Sequence, residues 1–99
     1  MNGAERRYTM QTTTSGNIVI IRREISPSTF ICLQEIADDG SYVVTKDTPA
    51  PSLLGGQAWL ASARRGHETL RAAIIDMAER CGVAPATLAW ELGDGAPKF

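Results

Sequence analysis

An excess of charge of either sign is missing from this chain: ten Lys and Arg stand against eleven Asp and Glu, a formal net charge of −1. The balance is also local, with five charges of each sign in residues 1–46 and four arginines against Glu68, Asp76 and Glu79 in residues 57–82. Proteins that live on the phosphate backbone usually carry a basic surplus, because neutralised phosphates supply most of the non-specific affinity. No such surplus is present, and the chain is not acidic enough to imitate nucleic acid. Cysteine is scarce as well. Cys32 and Cys81 are the only two, both in apolar contexts, which excludes a disulfide framework and fits buried free thiols in a reducing compartment. Residues 1–16 hold no apolar run of signal-peptide length, and no segment approaches the ~20 apolar residues of a membrane span. These features predict a cytoplasmic protein with no membrane partner.

Histidine occurs once, at His67. Sequence shows no nucleophile or carboxylate converging on it, and with Cys32 and Cys81 it makes no zinc spacing. It reads as a surface or capping histidine beside Gly66. Gly55-Gly56 lacks the Lys-Ser/Thr that follows a phosphate loop. Asp38-Asp39, followed by Gly40, is first of all a turn. No catalytic residue, metal ligand or cofactor is therefore expected, and the chain does not read as an enzyme.

What is present is a globular composition, 43% hydrophobic, in a length that fits one domain. Residues 1–16 are polar and Thr-rich, an N-terminal arm or a short edge strand. The β-branched run Ile18-Val19-Ile20-Ile21 predicts a strand that continues to Ile25 and stops at Ser26-Pro27-Ser28. Phe30-Ile31-Cys32-Leu33 predicts a second strand. Ala37-Asp38-Asp39-Gly40 predicts a tight turn, and Tyr42-Val43-Val44-Thr45 a third strand. Residues 47–56, with Pro49, Pro51 and two glycines, read as an irregular crossing pinned by Leu53 and Leu54. Residues 57–65 fit two readings: their alanines favour a short helix, whereas Trp59 and Leu60 after a glycine pair favour a fourth strand. Trp59 is expected in the core beside Leu60.

Residues 67–81 carry Leu70, Ile74, Met77, Ala78 and Cys81 on one helical stripe, and Gly82 stands where a left-handed residue closes a helix. Pro85 suits the first turn of a short helix to Leu92, and Gly93-Asp94-Gly95 ends it. Strands followed by helices without alternation predict an α+β fold: a three-stranded antiparallel meander, or four-stranded with 57–65, then one long helix on the sheet and a short C-terminal helix. One domain over 17–92 is expected, with a flexible tail over 93–99, and with the long helix leaving no reactive pocket.

Residues 74–92 resemble the helix-turn-helix unit of bacterial repressors over about a fifth of the chain. Ala78 matches the small residue that lets the two helices approach, Gly82 the turn glycine, and Val83 and Leu88 the apolar residues that pack the second helix; Met77 and Cys81 fill further apolar positions. The resemblance implies that Ala84, Pro85, Ala86, Ala89 and Trp90 would face DNA. None of these is an Arg, Lys, Asn or Gln able to make paired contacts to a base edge, and Glu91 and Asp94 would oppose phosphates.

Two function classes follow. The first is a non-catalytic module, monomer or homodimer, that occupies a partner protein as a regulator, adaptor or phage-type inhibitor does, for example on a host defence or nucleic-acid-processing complex. Its candidate contact residues are Trp90, which points away from the Leu88–Leu92 face, and Arg64, Arg65 and Arg71, because Trp and Arg dominate binding hot spots. The second is a small DNA-binding transcription regulator built on 74–92. An enzyme with a site assembled only in three dimensions is the remaining alternative.

Overall fold

The structure, a computed structural model, describes residues 11–12, 16–50 and 58–99. Five strands, β1 (Gln11–Thr12), β2 (Ile18–Ser26), β3 (Thr29–Glu35), β4 (Tyr42–Ala50) and β5 (Ala58–His67), precede two helices, α1 (Leu70–Cys81) and α2 (Pro85–Leu92). The strands form one antiparallel sheet in sequence order. The fold is therefore α+β with four full strands, one more than the minimal meander, and a two-residue β1 along the edge of β2.

Each turn has a local cause. β2 and β3 join through Pro27-Ser28, closed by the Ser26–Thr29 pair, with Ser28 at a φ of 62° and its N–H donating to the Glu24 carboxylate at 3.2 Å. Between β3 and β4, Gly40 takes a φ of 71° and donates to the Ile36 carbonyl at 2.9 Å, as turn chemistry predicts. Asp39 accepts from the backbone N–H and hydroxyl of Ser41 at 2.9 and 2.6 Å. Those bonds hold its carboxyl below the ordinary range.

Two expectations differ from the structure: the irregular crossing over 47–56 and the start of the long helix at His67. β4 runs on to Ala50 and takes in Pro49, where an irregular crossing was expected. Its last β3 partner is Phe30, opposite Asp47, so beyond that point β4 is bordered by β5 alone among the described residues, and proline is tolerated where a strand loses a neighbour. Leu53 and Leu54 lie outside the described residues. Residues 58–67 form a strand, because pairing with β4 overrides the helical preference of their alanines. α1 consequently starts at Leu70, later than expected. Thr69 caps it in an extended conformation, its hydroxyl accepting the Ala72 N–H at 3.1 Å.

One face of the sheet meets the helices. A bulge in β2 between Val19 and Ile21 turns both Ile20 and Ile21 inward. They join Ile31, Leu33 and Val44 against Ala73, Ile74, Met77 and Ala78 of α1 and Leu88 and Leu92 of α2, with Leu70, Cys81 and Val83 at the margin. α1 ends at Gly82, whose φ is 71°, and Val83 N–H returns to the Ala78 carbonyl at 3.1 Å. Pro85 opens α2. Beyond Gly93, Ala96 packs against the core and the Arg71 guanidinium lies 4.9 Å from the centre of the Phe99 ring, so the expected tail touches the body of the domain.

The opposite face buries Cys32, Val43 and Thr45. Burial pushes the Cys32 thiol up to about 11, which keeps it protonated and unreactive. Thr45 is satisfied by donating to Asp47 at 2.9 Å. Trp59 lies on this face, not in the core: it is 38% exposed and meets Phe30 edge-on at 5.3 Å. The Arg22 guanidinium sits 4.4 Å from the Trp59 ring centre and 4.5 Å from that of Phe30. Pairing with Pro49 carries Trp59 to the far end of the sheet, away from the helices.

Candidate functional site: an arginine-lined groove

A bulge in β5 builds one wall of a groove lined by charged side chains. Val44 pairs with Arg65 and Lys46 with Ser62, so Ala63 and Arg64 together stand opposite the single residue Thr45. Ala63 absorbs the extra residue at a φ of 51°, a region that alanine enters at a cost of roughly 1 kcal/mol. Its carbonyl turns toward α1 and accepts from Arg80 Nη1 at 2.7 Å. Adjacent residues of a regular strand point to opposite faces, but the bulge lets Arg64 and Arg65 line one groove.

Asp76 lies at the base of this groove, only 6% exposed. His67 Nε2 donates to its Oδ2 at 2.8 Å; Arg80 donates from Nε to Oδ1 at 2.9 Å and from Nη2 to Oδ2 at 3.3 Å. Arg65 Nη1 stands off at 3.9 Å from Oδ1. An ionised carboxylate only accepts, so this contact fixes the proton on Nε2 of His67. Burial pushes the Asp76 carboxyl up, but the hydrogen bonds from His67 and Arg80, followed by the Arg80 charge, outweigh it and hold the group below its ordinary value.

The groove measures about 720 Å3 and opens between α1 and the sheet. Ile25 and Ile31 give it apolar surface, Lys46, Arg64, Arg65 and Arg80 are its cations, and Asp76 and Glu79 its carboxylates. The long helix was expected to leave no reactive pocket; a groove does lie beside it, with the Arg80–Ala63 and His67–Asp76 hydrogen bonds joining α1 to β5. His67 also differs from expectation. It ends β5, with a side chain 15% exposed, as a hydrogen-bonded member of this network and not as a surface or capping residue at the start of a helix.

A carboxylate that orients an imidazole is the base half of many acid–base sites. Among the described residues, however, the only side-chain hydrogen bond of His67 is to Asp76, with no hydroxyl or thiol nucleophile attached. No group of three or more His, Cys, Asp or Glu among the described residues could hold a metal ion, and no described helix is long and apolar enough to cross a membrane. The arrangement offers one guanidinium, Arg80, held by a buried counter-ion, two exposed arginines, and apolar surface at the side.

The residues singled out from sequence are divided by the fold. Arg64 and Arg65 come together in the groove. Arg71 does not join them; it is exposed on α1 beside Phe99. Trp90 projects from α2 and is 74% exposed. Of the other positions implied by the helix-turn-helix resemblance, Ala84 and Ala86 are exposed and Pro85 and Ala89 half-buried. Glu91 is occupied by Arg23 in a 2.6 Å ion pair. Sequence reasoning missed His67, Asp76, Arg80, Ala63 and Lys46 as a group. The one available signal was a carboxylate between Ile75 and Met77 beside an apolar stripe, which anticipates a buried partner.

No family model, curated protein or solved structure matches this chain.

Proposed function

We propose that this protein is a non-catalytic binding module that acts by occupying a partner protein. The observation that carries this reading is Trp90, 74% exposed on a helix whose Leu88 and Leu92 are fully buried. Burying an indole removes on the order of 150–250 Å2 from water, a gross gain of ~4–6 kcal/mol at ~25 cal/mol per Å2 before ordering costs. An exposed indole on a rigid helix is the setting of a hot-spot side chain that inserts into a pocket.

The same helix speaks against base reading. α2 reads Pro-Ala-Thr-Leu-Ala-Trp-Glu-Leu, without Arg, Lys, Asn or Gln, and its single charge is a carboxylate already paired to Arg23. The helix, the three-residue turn from Gly82 to Ala84 and the second helix do follow one another as in a repressor unit, so the transcription-regulator reading is tested alongside.

Affinity capture from the native host with the intact chain, compared with Trp90→Ala, tests the proposal. A protein retained by the natural sequence and lost with the variant supports it. Identical sets retained by both, or none by either, overturn it. In a parallel mobility-shift titration on upstream DNA, sequence-preferring and salt-sensitive binding would transfer the assignment to the regulator.

A further inference from the structure

We infer that the groove between α1 and the bulged part of β5 receives an acidic peptide segment of the partner. This inference rests on the protein-binding reading above, and it names a second contact and its chemistry. Four cations and two carboxylates line the groove in a chain whose overall charge is −1, so the local surplus is positive against an acidic whole.

The six charges are not equivalent. Arg80 is immobilised by Asp76 and by the Ala63 carbonyl, and its role is to hold the wall. Asp76 is occupied by His67 and Arg80, and its contact to Arg65 is a loose 3.9 Å with the arginine side chain 65% exposed. Arg64 and Lys46 have no carboxylate partner among the described residues. Arg64, Arg65 and Lys46 are thus the cations available to a ligand, with Glu79 across from them on α1. Guanidinium forks match carboxylate geometry in paired hydrogen bonds.

The remaining lining selects the rest of the ligand. Ile25 is 41% exposed, so a neighbouring apolar side chain of the ligand has a surface to cover. A groove of about 720 Å3 falls within the range that encloses a small ligand or a few residues of chain. A nucleic-acid strand is disfavoured, since it presents a phosphate at every step and needs a continuous basic track. Glu79 and Asp76 interrupt any such track. A segment that alternates acidic and apolar side chains fits the pattern of cations, carboxylate and isoleucine.

The test uses the intact chain and a fluorescein-labelled hexapeptide of alternating Glu and Phe, followed by anisotropy at low and at about 0.15 M salt. Saturable binding is expected, about tenfold weaker with Arg64→Glu or Arg65→Glu and within about twofold of the natural chain with Lys98→Glu, the scale of one lost charge-assisted hydrogen bond. A Gln-Phe hexapeptide should not compete. Amide shifts on titration should centre on Lys46, Arg64, Arg65 and Glu79, a readout that does not depend on any variant folding. Absence of binding, equal loss with Lys98→Glu, or shifts centred elsewhere would overturn the inference. Stronger competition by a ten-nucleotide single strand would reassign the groove to nucleic acid. Capture that needs Trp90 while the peptide fails to bind sinks only the groove; peptide binding with Trp90-independent capture sinks only the reading of Trp90.

Discussion

Strands β3 and β5 lie in the same sheet, one strand apart. β3 has a neighbour on each side, keeps an unbroken register with β4 and buries Ile31, Cys32 and Leu33 to 2% exposure or less. β5 is bordered by β4 alone among the described residues, carries one residue too many opposite Thr45, and exposes every residue from Trp59 to Gly66. α1 packs over β3 and β4, whereas β5 borders the groove at its flank. β3 is held from two sides along its length and stays regular. A strand held from one side can distort, and its distortion places two arginines and a carbonyl where α1 can use them.

The same substitution in both strands breaks this comparison most sharply. Leu33→Asp on β3 puts an unpaired charge at a position with 0% exposure, as Ile74→Asp does from the side of α1. Either should cost upward of about 4 kcal/mol, comparable with the whole stability of a small domain, and leave no cooperative thermal transition. A cooperative melt near the natural midpoint would show that the helix and β3 do not form one core.

Next in size is Asp76→Asn, which leaves His67 and Arg80 without their anion. Loss of one partner of a fully buried pair costs ~3–5 kcal/mol. The side chains of His67 and Arg80 remain 15% and 19% exposed, so ~2–3 kcal/mol is expected. The pH dependence has a definite sign. Because the folded-state value of Asp76 lies below the ordinary 3.8, its ionised form stabilises the native chain, fully so above 3.8, and that contribution is lost as pH falls through the lower folded-state value. Denaturant midpoints measured downward from pH 6 should therefore fall less steeply for Asp76→Asn than for the natural chain; parallel profiles would remove Asp76 from the ion pair.

Which of these features the sequence could announce depends on how far apart their causes lie. The three central strands, the Gly40 turn, the apolar stripe of α1, its Gly82 stop and the Pro85 start were legible because each is fixed within a few neighbouring residues. β5 was ambiguous because its alanines favour a helix and only pairing with β4 decides otherwise. The bulge was invisible, since Ala63 carries no glycine or asparagine signal and the extra residue exists only relative to β4. The His67–Asp76 contact spans nine residues across a strand-to-helix junction, so no periodicity connects its members. Asp76 and Arg80 stand four apart on α1, a spacing worth little on a helix surface; burial beside the bulged strand turns the pair into a structural centre.

The bulge itself predicts a smaller effect. Ala63→Val puts a β-branched residue at a φ of 51° and should cost ~1–2 kcal/mol, lowering the melting midpoint by ~4–15 °C. Ala63→Gly removes the backbone strain but loosens the unfolded chain, and should stay within ~0.5 kcal/mol of neutral. Equal tolerance of Val and Gly would mean that the left-handed conformation at Ala63 is not maintained in solution.

The smallest expected change completes the contrast with β3. Leu60 sits on β5, paired with Thr48 and 58% exposed. Leu60→Asp changes a large apolar side chain to a charge, yet a side chain already mostly in water has little transfer free energy to lose, and a shift within ~0.5 kcal/mol is expected. Because the same exchange at Leu33 should abolish folding, the ratio of the two effects measures how far β5 is uncoupled from the core. A loss of more than ~2 kcal/mol at Leu60 would mean that β5 is covered in solution, by the chain itself or by a second copy. Concentration dependence of the melting midpoint separates those two cases, since only association with another copy makes stability rise with protein concentration.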